Sequence, residues 1–181
     1  MILPLFCRPN PTIAALYGAI VTQSRDPGFY EAYGVPDTLL GRFDLIVLHL
    51  ALVLRRMRAG EGAARDLAQG LFDAFCRDMD HNLREMGIGD QGVPRQMRRV
   101  GEAFYGRAQA YDAALAEQHS DMLVGTLTRN VYAEAAEPGF AAERLADYVR
   151  RTVHDLEAQA IEHLLGGHVT FLPPVTLAVA E

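Results

Sequence analysis

At 181 residues the chain is long enough to bury about two-thirds of its unfolded surface, so one domain with a self-sufficient core is expected. Half of the residues are hydrophobic and 22% are charged, a balance that excludes a disordered chain. A net charge of -6 argues against a DNA binder, because neutralising phosphate takes a clustered basic footprint.

The chain opens on MILPLFCRP, an apolar run with no basic residue before it and with Pro4 inside it, which reads poorly as a signal peptide. Cys7 and Cys76 are far apart and in different contexts, so no disulfide framework is expected and a reducing, cytoplasmic location fits better than a secreted one. Pro11 and Thr12 open a first helix to about residue 23, and Asp26-Pro27 pairs an N-cap residue with Pro at the first helical position of a short second one. Gly34 and Pro36 end it. Asp37 is expected to cap a long helix reaching about residue 59. Its FDLIVLHLALVL stretch, 43–54, falls short of the roughly 20 residues that span a bilayer and carries Asp44 and His49, so it reads as a buried core helix.

The next helix covers about 63–86. Gly87 and Gly89 supply left-handed positions that stop it, and Pro94 begins another to about 116, which makes the pair an αα-hairpin. Ser120 is the expected N-cap of a helix to 135, Pro138 and Gly139 punctuate again, and a last helix runs over 141–165 to Gly166-Gly167. In the tail HVTFLPPVTLAVAE, Pro173-Pro174 forbids a helix, so the tail should lie extended across the bundle. No segment sustains a period of two, and there is no internal repeat. The expectation is an all-α, single-domain bundle, 1–181, of six or seven helices with an extended C-terminal tail.

The hairpin sequence from Asp78 to Leu115, DMDHNLREMGIGDQGVPRQMRRVGEAFYGRAQAYDAAL, crowds charged and aromatic residues around a Gly-punctuated turn. Leu71, Phe72, Phe75, Met79, Leu83 and Met86 share one arc of the first helix, with Val93, Met97, Val100, Phe104, Tyr111 and Leu115 on one arc of the second. Asp78, Asn82 and Glu85 form a polar stripe at the edge of the first arc, and Arg107 at the edge of the second is expected to meet Asp78 or Glu85. That contact reads either as an interhelical pair that fixes register or as part of an exposed site. Asp73 with Arg77, and Asp80 with Arg84, are spaced i and i+4 as solvated ion pairs. Arg95, Arg98 and Arg99 point away from the core arc, and Tyr105 lies off it beside Gly106.

Enzymatic motifs are weak. A di-iron bundle needs paired Glu-x-x-His motifs, whereas this chain offers the single Asp78-x-x-His81, so no metal is expected. His49 reads as a satisfied core histidine, and Cys76 as a small buried residue without an activating neighbour. No Gly-rich phosphate loop or Walker lysine is present, so neither a cofactor nor ATP dependence is expected. The alternative is a helical enzyme or ligand-binding protein with a closed pocket around Asp78, His81, Glu85 and Tyr111.

Seven short words taken together resemble the ubiquinol-cytochrome c chaperone family over about residues 12–165. They are Phe29-Tyr30, Pro36-Asp37-Thr38, Gly41-Arg42-Phe43-Asp44, Leu48-His49, Asp78-Met79-Asp80, Leu83-Arg84-Glu85-Met86-Gly87 and Phe104-Tyr105-Gly106-Arg107. The resemblance implies an all-α, non-enzymatic chaperone that binds newly made cytochrome b and assists assembly of respiratory complex III. It also implies a ribosome or a small co-chaperone as further partners, and a place at the inner face of the cytoplasmic membrane reached through the client. Arg95 keeps the basic residue common after the Val-Pro opening of the second hairpin helix, while Cys76 stands where a large aromatic is frequent. With the residues of the turn, this gives Asp78, Asp80, Arg84, Glu85, Asp90, Tyr105, Arg107 and Tyr111 as the expected partner-binding set.

Overall fold

A computed structural model describes residues 10–58, 60–117, 119–135 and 139–175. The apolar N-terminal run with Cys7, and the tail beyond Val175, lie outside them. Among the described residues the secondary structure is entirely helical: α1 (Pro11–Ser24), α2 (Gly28–Glu31), α3 (Leu39–Arg58), α4 (Ala63–Glu85), α5 (Val93–Ala116), α6 (Asp121–Asn130), α7 (Ala141–Ala158) and α8 (Ile161–Leu165). Six of these are long, and α2 and α8 are little more than a turn each; the short α2 is the one that the Gly and Pro punctuation of the sequence anticipates.

The central element is α3. Twelve of its 20 residues are buried, including every position from Asp44 to Val53. A helix buried on all sides must be apolar all round, which is why this stretch carries no amphipathic stripe. It packs against α1, α4, α5 and α7. Its first turn is capped by Thr38 rather than by Asp37: the Thr38 hydroxyl accepts from Gly41 N–H at 3.1 Å, while Asp37 is drawn off by Arg42 at 2.7 Å.

Two helices end otherwise than the sequence suggests. Ser120 makes no side-chain cap, and its carbonyl accepts from Val124 instead. The helix that follows stops at Asn130 because Tyr132 turns inward, its hydroxyl reaching the carbonyls of Tyr33 (2.7 Å) and Ala141 (3.2 Å). The expected 141–165 helix is broken at Gln159, which is extended (φ -69°, ψ 133°). Two features favour the break. Arg56 donates to the carbonyls of Leu156 and Gln159, at 2.9 Å each, and satisfies groups that a helix end leaves unpaired. The Gln159 side chain is bonded in both directions to the backbone of Thr170.

The described tail is extended across the bundle, as Pro173-Pro174 requires. Gln23 donates to Leu172 O at 2.8 Å, the Val175 N–H reaches the Tyr33 hydroxyl at 3.2 Å, and Phe171 stands edge-on to the His49 ring with centroids 5.4 Å apart. His49 is the satisfied core histidine that was expected. Its Nδ1 lies 2.8 Å from Leu45 O, an acceptor, so the proton sits there, and Nε2 accepts from the Tyr148 hydroxyl at 2.9 Å. Burial lowers the His49 pKa to about 4, with the Leu45 bond opposing the shift.

Candidate functional site

The α4–α5 hairpin turn is built by a C-cap that sequence reading anticipates. Gly87 adopts φ +83°, its N–H returns to Arg84 O, and Ile88 N–H returns to Leu83 O, the two bonds of a Schellman motif. That motif throws the chain sideways and brings Asp90 to Arg84, so that two acids flank one arginine. Arg84 Nε bonds Asp80 at 2.7 Å and its Nη1 reaches Asp90, while His81 Nε2 meets Glu85 at 3.1 Å. All of these side chains are substantially exposed, Asp90 at 90%. Pairs this exposed are screened by solvent and contribute little to stability.

Further along the hairpin, Phe72 packs on Phe104 (ring centroids 5.0 Å apart) and Tyr105 (5.3 Å), leaving Tyr105 62% exposed on an aromatic ledge. Tyr105 is twelve helical steps along α5 from Val93, about 18 Å at 1.5 Å per residue. Tyr105 therefore belongs to the flank of the hairpin and not to its turn. Met86 is also exposed, at 58%. The exposed part of the expected set is thus an apolar flank with an acidic end, joined by the exposed guanidiniums of Arg95, Arg98 and Arg99.

The rest of the set goes elsewhere. Arg107 meets neither Asp78 nor Glu85: its Nη2 lies 2.9 Å from Asp44 Oδ1, on α3, and its guanidinium carbon is 5.8 Å from the centre of Phe43. The reason is which helix each side chain faces. Arg107 projects from α5 toward α3, whereas Asp78 projects from α4 toward α1 and accepts from the Tyr17 hydroxyl at 2.8 Å. Only Asp78 of the supposed polar stripe is half-buried; Asn82 and Glu85 are exposed. Tyr111 is 1% exposed in the core, Asp78 faces α1, and His81 and Glu85 pair with each other in solvent, so the four do not converge on one pocket.

The Asp44–Arg107 contact is an ion pair by distance but is poorly aligned for hydrogen bonding. Asp44 Oδ1, Arg107 Nε and the Tyr111 hydroxyl have no hydrogen-bond partner among the described residues. Burial pushes the Asp44 carboxyl up to about 6, and Arg107 offsets only part of that rise. Sequence reading noted Asp44 as a charge within an apolar stretch without assigning its partner; the need to neutralise a buried carboxylate was the available signal.

A second feature went unforeseen. An open cleft of about 460 Å³ runs between α1 and α4, lined by Ile13, Ala14, Tyr17, Gly18, Val21 and Ala74, with Arg25, Arg77 and Asp78 among its polar residues. The anticipated Asp73–Arg77 pair is missing because Gln69 donates to Asp73 at 2.8 Å, which leaves Arg77 at the cleft. Cys76, on the same helix, is half-buried, and burial raises its thiol pKa above the usual value. Among the described residues no three His, Cys, Asp or Glu side chains gather as a metal site, and no helix is long and apolar enough to cross a membrane.

Residues 31–171 match the family described as ubiquinol-cytochrome C chaperone. The chain is 29% identical over 166 residues to ubiquinol-cytochrome-c reductase complex assembly factor 1 of Xenopus laevis, an alignment covering 90% of this chain and 82% of that protein. Its fold resembles the crystal structure of the Cbp3 homolog from Brucella abortus, with a TM-score of 0.82 and 39% identity, over 95% of this chain and 97% of that one.

Proposed function

The chain belongs to the ubiquinol-cytochrome c chaperone family of complex III assembly factors, and on that premise we propose that it holds newly made cytochrome b, without ATP, until the subunit enters the complex. The single observation that carries the reading is the exposed hairpin surface, where Tyr105 stands in solvent on the flank and Met86 at the turn beside the charged rim of Asp80, Arg84, Glu85 and Asp90. Large apolar residues exposed next to a polar rim mark contact surfaces, and aromatic residues dominate binding hot spots. An open surface of this kind suits an extended or partly folded polypeptide, whereas a small substrate calls for a pocket with converging groups. Arg107 and Tyr111 serve this surface from beneath, Arg107 by tying α5 to α3. A ribosome or a small co-chaperone, and a place at the inner face of the cytoplasmic membrane, belong to the same reading.

Photo-crosslinking tests it. A benzophenone amino acid at position 105, in membranes synthesising cytochrome b, should capture cytochrome b, while the same group at Glu157 on α7 should not. Equal capture from both positions, or no cytochrome b from position 105, sinks the assignment of the hairpin as the client surface.

A further inference from the structure

The cleft between α1 and α4 plays no part in the client reading, and it opens on the α1 side of α4 rather than on the side that carries Tyr105. Its wall on α1 is made by Ile13, Ala14, Tyr17, Gly18, Val21 and Arg25, a succession of three- and four-residue steps that keeps one helical face turned to the opening for about 18 Å. Ala74 continues the apolar floor from α4. The rim is cationic. Arg25 and Arg77 are both exposed and neither joins an ion pair among the described residues, while the one acid in the lining, Asp78, is already engaged by the Tyr17 hydroxyl. Two guanidinium forks thus flank an apolar floor, and no carboxylate of the described residues is paired with either.

Gly18 sharpens the shape. It lies in the middle of α1, where glycine disfavours the helix, yet a Cβ built on it would meet nothing within 4 Å. The chain's own packing does not demand a bare backbone there. Gly70 differs, because a Cβ on it would meet Ile13 Cδ1 at 2.3 Å, so the end of the Ile13 side chain lies over its bare backbone.

We propose that the α1–α4 cleft is a docking surface for an amphipathic helix of a partner protein, with its apolar face on Ile13, Ala14, Gly18, Val21 and Ala74 and its carboxylates at Arg25 and Arg77. The charge pattern selects this occupant: helix-in-groove recognition reads anchors at i, i+3, i+4 and i+7, and arginine forks match carboxylates in a bidentate geometry.

The probes are labelled synthetic helices of roughly four turns: one with a Leu/Ala face flanked by Glu, its counterpart with Lys for Glu, and a shuffled Glu peptide without an apolar face. Fluorescence anisotropy with the full chain should show the Glu helix binding at least about tenfold more tightly than the other two. Arg25→Glu with Arg77→Glu should reverse that preference toward the Lys helix. Gly18→Leu should abolish binding of both helices with the melting temperature held or raised, since Leu favours a helix more than Gly and its Cβ enters open space. The proposal is overturned if the Glu and Lys helices bind alike, if the shuffled peptide binds as well, or if Gly18→Leu binds as the wild type does. It is equally overturned if the wild type sediments as a dimer that Gly18→Leu dissociates, for the cleft then holds a second copy of this chain.

Discussion

Arg107 Nη2 sits 2.9 Å from Asp44 Oδ1 with side chains 20% and 2% exposed, so α5 is tied to the central helix by a charge pair beneath the hairpin surface. Removing Arg107 leaves the Asp44 carboxyl buried with no cation to offset its loss of solvation. Arg107→Ala should cost about 3 to 5 kcal/mol, and Arg107→Lys should recover only part, because Lys lacks the planar fork. The double change Asp44→Leu with Arg107→Met should return stability near to or above wild type, since replacing a buried pair with apolar side chains is often neutral or favourable. Urea melts of the three variants decide it; a near-neutral Arg107→Ala would show that the pair contributes nothing.

Two buried groups are shifted in opposite directions. Asp44 has a folded pKa of about 6, above the usual carboxylate value, so the native state holds the proton that the unfolded state has released. Its contribution is fully present below about 4 and is lost as pH rises through 6. His49 is shifted the other way, to about 4, so its contribution is present above the ordinary imidazole value of about 6.5 and is lost as pH falls toward 4. The slopes oppose across the same window. Relative to wild type, Asp44→Asn should make stability rise more steeply with pH between 4 and 6.5, and His49→Gln should make it fall, as read from melting temperatures across that range. Parallel pH profiles for all three proteins would contradict the assignment.

Two helical glycines should respond oppositely to the same substitution. A Cβ at Gly41 would lie 2.0 Å from the Pro36 carbonyl oxygen, a backbone atom with little freedom to move, so Gly41→Ala should destabilise by about 1 to 3 kcal/mol despite the better helix former. Gly18→Ala meets nothing and should stabilise by roughly 0.5 to 1 kcal/mol. Denaturant midpoints of the pair measure both, and shifts of the same sign would refute the contrast.

At the hairpin, binding and stability should separate. Glu85→Ala with Asp90→Ala, and Tyr105→Ala alone, remove exposed groups, and such changes ordinarily stay within about 0.5 kcal/mol of neutral. Tyr105→Ala should nevertheless cost at least about 2 kcal/mol of client affinity, as aromatic hot spots do. Pull-downs of cytochrome b scored beside melting curves test this, and binding that falls only in step with unfolding would move the client site elsewhere.

The elements were largely legible in the sequence because their signals are local. Pro11, Pro27 and Gly87 fix where helices start or stop, and the apolar stretch around Leu48 is too continuous for anything but the centre of the bundle. What escaped was set by tertiary partners. Gln159 breaks a helix whose periodicity runs on without interruption, where Arg56 and Thr170 meet its backbone and side chain. Arg107 could be placed at the edge of a helical arc, but a wheel cannot say which neighbouring helix that edge meets, so Asp78 was a reasonable partner and Asp44 the actual one. The exposed cluster of Asp80, Arg84 and Asp90 was readable because it needs only i, i+4 spacing and a turn; the α1–α4 cleft was not, since it exists only once two helices distant in sequence lie together.

The claim that this chain acts in complex III assembly through cytochrome b is tested most directly by deleting its gene and recording the reduced-minus-oxidised spectrum of cytochrome b in isolated membranes, with an unrelated respiratory oxidase as the internal reference. The expected result is loss of the cytochrome b signal and of assembled complex III, with the oxidase near its normal level and wild-type protein restoring both. Normal cytochrome b and complex III in the deletion strain would contradict the account.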